Sequence, residues 1–144
     1  MWTHEHSAIT SGTSHDVWHF YTDPDRMRTL PSVTLLHAKG RLALGSRFTL
    51  RIRRSPPLKQ RVTEFDEDRH RFIAEARVPG AVIRTHHIVE DLDGESSRVT
   101  EKLELVGPAS WLMARLLSEM MARTIRVITD DIAKATARSG RPDL

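Results

Sequence analysis

Cysteine is absent from the 144 residues, which excludes disulfides, thiolate metal sites and a cysteine nucleophile and is compatible with a reducing compartment. Long apolar runs are also missing. The most apolar long segment, Trp111 to Ile128, is interrupted by Arg115, Glu119, Arg123 and Arg126, charges too costly for a lipid-facing span. The start, "MWTHEHSAITSG", has no basic stretch followed by an apolar one, so no signal peptide is expected and the cytoplasm is the expected compartment. No phosphate loop, G-x-S-x-G elbow or H-E-x-x-H helix is found, and "HEH" at residues 4–6 is not the last of these. His4 and His6 share a face of a terminal segment and read as exposed side chains.

What is present suits a globular chain. With 39% hydrophobic and 28% charged residues the composition lies far from that of disordered proteins. The length predicts a single domain over 1–144, burying roughly two-thirds of its unfolded surface, with a core over about residues 3–138 and a frayed tail at 139–144. Net charge is +3, yet eighteen of the twenty-two basic residues are arginine, several of them crowded between Arg47 and Arg61. Such a cluster is either a footprint for phosphate or an acidic partner or the wet face of a one-sided sheet. The alternation of Arg47, Arg51 and Arg53 with Phe48, Leu50 and Ile52 favours the sheet face.

Hydrophobic period divides the chain into three parts. Thr3 to Thr10 reads as a strand ended by Gly12. Ser14 precedes a two-turn helix over "HDVWHFY". Asp23 then caps a second short helix with Pro24 at its first position, where the missing N–H costs nothing, and Pro31 closes it. From Val33 to Gly107 five or six runs of period two are separated by Gly40, Gly45, Pro56-Pro57, "DEDRH", Pro79-Gly80 and Asp93-Gly94. Spacers this short join antiparallel neighbours, so the expectation is a meander. Thereafter the period is helical from a Ser110 cap to a Gly140 stop. Met113, Leu117, Met120, Met121, Thr124, Ile128, Ile132 and Ala135 form one stripe, opposite Arg115, Glu119, Arg123, Arg126 and Asp130.

This order is that of an α+β helix-grip fold: a curved antiparallel β-sheet wrapped around a long C-terminal helix, with two short helices after the first strand turning a corner across one end. Four features carry a family resemblance: Ile9 followed by Val17-Trp18; "TDPD" at Thr22 to Asp25; "LDGESSRVT" at Leu92 to Thr100; and Gly107-Pro108 before the long helix. On these, over about residues 3–138, the chain resembles the START-like (SRPBCC) superfamily, which includes Bet v 1-type proteins and the polyketide cyclase/dehydrase group. It departs from the pattern at Leu30, where an aromatic residue often precedes the proline.

The resemblance implies a cavity between sheet and helix that takes an apolar small molecule. Phe48, Leu50, Ile52, Val62, Ile88, Val99, Leu103 and Leu105 are the candidate sheet wall. Met113, Leu117, Met120 and Met121 are the candidate helix wall, methionine adapting to varied shapes. The competing reading is that these side chains meet and fill the space. Glu101 shares a strand face with Val99 and Leu103, so it is expected to line the interior. On the preceding strand His86 shares a face with Arg84 and Ile88, and His87 shares the other with Thr85 and Val89, so only one histidine points in. Adjacent histidines make a poor metal pair, and no metal or other cofactor is expected.

Three function classes remain. The first is binding of a hydrophobic polyketide, lipid or isoprenoid. The second is a cyclase or aromatase directing aldol closure and loss of water, in which His86 or Glu101 moves the proton and Arg84 steadies an enolate. The third is an RNA- or protein-binding adaptor using the arginine hairpin, ranked last because interleaved exposed aromatics are lacking. A dimer is left open.

Overall fold

Inward and outward side chains alternate along most of the segments of period two, and such segments can bury their apolar face only by pairing into one curved sheet. The computed structural model describes residues 1–138; the expected Gly140 stop and the tail at 139–144 lie outside them. The strands are β1 (Trp2–Thr10), β2 (Val33–Ala38), β3 (Arg47–Ile52), β4 (Leu58–Asp66), β5 (Arg71–Val78), β6 (Ala81–Asp91) and β7 (Ser97–Val106). They form a seven-stranded sheet in the order β1-β7-β6-β5-β4-β3-β2, every pair antiparallel. The expected turn residues fall between strands. At the β6–β7 hairpin Gly94 takes φ +83°, a conformation favouring glycine, and hydrogen bonds from Glu95 and Ser96 hold the Asp93 carboxyl below its usual range.

The helices are α1 (Ser14–Tyr21), α2 (Pro24–Met27) and α3 (Ser110–Ala135). The first cap lies one residue earlier than expected: the Thr13 side chain accepts from the Asp16 N–H at 3.2 Å. Asp23 caps α2 as the sequence predicts, accepting from Asp25 N–H at 3.0 Å. Ser110 is the first helical residue of α3 and not its cap; the cap position is Ala109, whose N–H donates to the Gly80 carbonyl at 2.9 Å. The helix start is thus tied to the β5–β6 turn by backbone, without a capping side chain. At the other end, Gly12 passes so close to the helix that a Cβ there would lie 2.3 Å from the Thr136 carbonyl oxygen.

Helix α3 lays Met121, Ile125, Ile128 and Ile132 against the sheet, each worth about 1.5–3 kcal/mol when fully buried. It packs on β1 and β7, while α1 and α2 cross the far end of the curve against β6 and β2. Val17, Trp18 and Tyr21, at the i, i+1, i+4 spacing of one helix face, are the buried side of α1. The curl of β3, β4 and β5 away from α3 leaves a space between them.

Candidate functional site

That space is a cavity of about 210 Å³. Phe48, Leu50 and Ile52 from β3, Leu103 from β7, and Leu117, Met120 and Met121 from α3 line it. Met27, Leu36 and Leu42 close it beneath the short helices. Among the lining residues that keep solvent exposure, Ser55, Pro56, Leu58, Leu117, Met120 and Thr124 lie together where the β3–β4 turn meets α3 and mark the mouth. The Ser55 and Thr124 hydroxyls, 3.0 Å apart, hydrogen-bond across it.

One wall is polar. In the β6–β7 hairpin His87 pairs directly with Glu101, both facing inward, and Tyr21 reaches them from the last turn of α1. All three are buried, at 8%, 4% and 2% exposure, and all line the cavity with Thr85. The Tyr21 hydroxyl donates to Glu101 Oε2 at 2.5 Å and lies 2.6 Å from His87 Nδ1. Burial, reinforced by the adjacent Glu101 carboxylate and the bond to it, raises the phenol well above its ordinary pKa, so it remains protonated. A phenol has one proton. With that proton given to Glu101, Nδ1 must be the donor to the Tyr21 oxygen, so that in the neutral imidazole Nε2 is the bare acceptor. Nε2 has no partner among the described residues. The Phe72 ring stacks on the imidazole at 4.3 Å and 12°, fixing its plane.

The cluster is one unit, and Tyr21 is its keystone. Tyr21→Phe removes the hydroxyl that serves Glu101 and His87, stranding two buried polar groups, and is expected to cost about 1–3 kcal/mol. Urea unfolding of the variant beside the unaltered protein measures it.

The structure brings Glu101, Phe48, Leu50, Ile52, Leu103, Leu117, Met120 and Met121 together around the cavity. Other candidates fall elsewhere. Val62 and Val99, with Trp18, are fully buried in the core beneath α1, and Leu105 and Met113 pack in a second cluster beside the first half of α3. Of the adjacent histidines, the one that points inward is His87. His86, Arg84 and Ile88 lie on the outer face of β6, and this corrects the expectation that they serve the interior. There His86 Nε2 lies 2.7 Å from Glu104 Oε1, and Arg84 Nε donates to Glu75 Oε2 at 2.9 Å. The reason is strand parity: a side chain one residue away from an inward one faces out.

The outer pair has its own consequence. The hydrogen bond from His86 lowers the Glu104 pKa. A carboxyl with a lowered folded-state pKa contributes stability above its unfolded value and loses it as pH falls through the folded value. Glu104→Gln is therefore expected to lower stability at neutral pH and to cost progressively less as pH falls below the usual carboxylate range, a trend readable from urea midpoints across that range.

Tyr21 and His87 were not among the sequence candidates. His87 had a signal: folding the hairpin symmetrically about Gly94 sets Glu101 opposite it. Tyr21 had only its place on the buried face of α1. Among the described residues no group of three or more metal-ligating side chains is placed to hold an ion, and no helix is long and apolar enough to cross a membrane.

The family model described as polyketide cyclase/dehydrase and lipid transport matches residues 1–136. No curated protein matches the chain in sequence. Among solved structures, a protein of Nitrosospira multiformis is similar at TM-score 0.79 and 12% identity, over 98% of this chain and 100% of that one. Norcoclaurine synthase from Thalictrum flavum, in complex with dopamine and hydroxybenzaldehyde, is similar at TM-score 0.70 and 14% identity, over 92% and 84%. The di-domain ARO/CYC protein BexL is similar at TM-score 0.69 and 13% identity, over 92% of this chain and 46% of that one. At these identities the likeness is one of fold.

Proposed function

Since the chain belongs to the polyketide cyclase/dehydrase and lipid transport family, we propose that its cavity holds a hydrophobic small molecule, with the apolar body against β3 and α3 and one oxygen at the Tyr21–His87–Glu101 wall. The observation that carries this reading is the combination of an apolar cavity with a single convergent polar cluster, the usual composition of a ligand site. A dry cavity of about 150 Å³ accepts benzene, so about 210 Å³ suits one substituted ring; a longer polyketide, lipid or isoprenoid would extend through the mouth. The aromatic ligands in the norcoclaurine synthase complex are of comparable size. The test is mass spectrometry of the solvent extract of the denatured protein, with displacement of a fluorescent apolar probe. Recovery of such a compound, or saturable displacement, is expected; a protein that neither carries nor accepts any apolar compound contradicts it.

The polar cluster also favours a second reading, an enzyme of cyclase or aromatase type. In it Nε2 of His87 takes a proton from the carbon beside a carbonyl, and Tyr21, whose own proton is held by Glu101, fixes the imidazole through Nδ1. Glu101 holds Tyr21 in place. Both His87→Ala and Glu101→Gln should then lower turnover of a poly-β-keto substrate at least about tenfold with unchanged circular dichroism. Equal rates for both variants would remove the cluster from the chemistry.

A further inference from the structure

The most exposed apolar surface lies on the opposite side of α3 from the cavity. Trp111, Leu112 and Leu116 are 65%, 42% and 69% exposed. At 3.6 residues per turn they share one side of the first two helical turns with Arg115, also exposed. Single exposed hydrophobics are ordinary, but an indole and two leucines side by side on a basic helix face are not.

The surrounding charge identifies the partner. From Ser110 to Ile128 the helix carries Arg115, Arg123 and Arg126 against one carboxylate, Glu119. Arg123 Nη2 donates to the Arg54 carbonyl at 3.3 Å, which draws the β3–β4 turn, with exposed Arg53 and Arg54, beside the patch. Lys59 and Arg77 are exposed at the same end of the sheet. At the other end the β4–β5 and β6–β7 turns expose Glu67, Asp68, Glu90, Asp91, Asp93 and Glu95, which are offset there by the exposed Lys39, Arg41, Arg69, Arg71 and Arg138, Arg138 donating to the Glu95 carbonyl at 2.8 Å. The other end is thus close to charge balance, and the apolar patch lies at the basic end of the molecule.

We propose that this end of α3 is a docking surface for an anionic lipid bilayer. Trp111, Leu112 and Leu116 enter the headgroup boundary, where tryptophan partitions well, and the surrounding arginines meet lipid phosphates. A second copy of the chain fits less well, because a two-fold contact through this patch sets Arg115 and its basic neighbours against themselves. The inference is independent of the cavity's occupant. It has a geometric consequence all the same: the mouth at Pro56, Leu117 and Met120 lies beside the docked surface.

Co-sedimentation with vesicles tests it, using phosphatidylcholine alone and phosphatidylcholine with one-third phosphatidylglycerol. The expected result is pelleting with the anionic vesicles and at least about fivefold less with the neutral ones, weakened by added salt. Trp111→Ser with Leu116→Ser is expected to reduce partitioning about tenfold or more, and Arg115→Glu to weaken it by a smaller factor. Both variants should retain the melting temperature and probe binding of the unaltered protein, since these residues lie outside core and cavity. No pelleting of the unaltered protein, equal pelleting with both vesicle types, or equal pelleting of the double variant overturns the proposal. So does sedimentation velocity showing a dimer that the double variant dissolves.

Discussion

Leu117→Trp combined with Met120→Trp is expected to reduce affinity for an apolar probe at least about tenfold while leaving the melting temperature unchanged or raised. Both side chains line the cavity near its mouth and are half-buried, so a larger side chain at either position can extend into the open space. An indole at each position occupies volume that a ligand would need. Large replacements in a filled core force strain and destabilise. Here they gain contacts. Titration of a fluorescent probe, with thermal unfolding alongside, separates the alternatives. Lost binding with retained stability is the signature of a hollow interior; lost stability would show that the side chains already meet.

Trp18→Ala is expected to lower stability by about 3–5 kcal/mol, a fall in melting temperature on the order of 10 °C. Trp18 has no solvent exposure. Its ring lies 5.3 Å from those of Phe65 and His70 and 5.9 Å from that of Phe72, and its Nε1 donates to Glu67 Oε2 at 2.5 Å. It therefore ties α1 to the β4–β5 hairpin, and α1 in turn carries Tyr21 to the polar wall. Trp111→Ala provides the control: the same chemical change on a residue 65% exposed should stay within about 0.5 kcal/mol. Chemical denaturation of the two variants compares them directly. Similar losses would mean that α1 is not held by this packing.

The element order was legible because each segment announces its period and its ends. Asp23-Pro24 marks the start of α2 and Asp93-Gly94 the β6–β7 turn, both through local chemistry that needs no tertiary information. Glu101 was legible for the same reason, since alternation with Val99 and Leu103 decides its face. What alternation cannot decide is how the interior divides between packed core and open cavity. Val62 and Val99 face inward as expected but are taken up by packing under α1, whereas Leu103 reaches open space. Tyr21 was beyond local reasoning altogether, being 66 and 80 residues from its partners His87 and Glu101. Their meeting depends on the angle at which α1 crosses the sheet.

The most direct test of the hollow interior is a crystal structure determined under xenon pressure, because an apolar cavity that excludes water accepts the gas. Xenon density is expected bounded by Phe48, Leu103, Met121 and Ile125, with the Tyr21–His87–Glu101 wall in place beside it. An interior without xenon, closed by those same side chains in mutual contact, would contradict it.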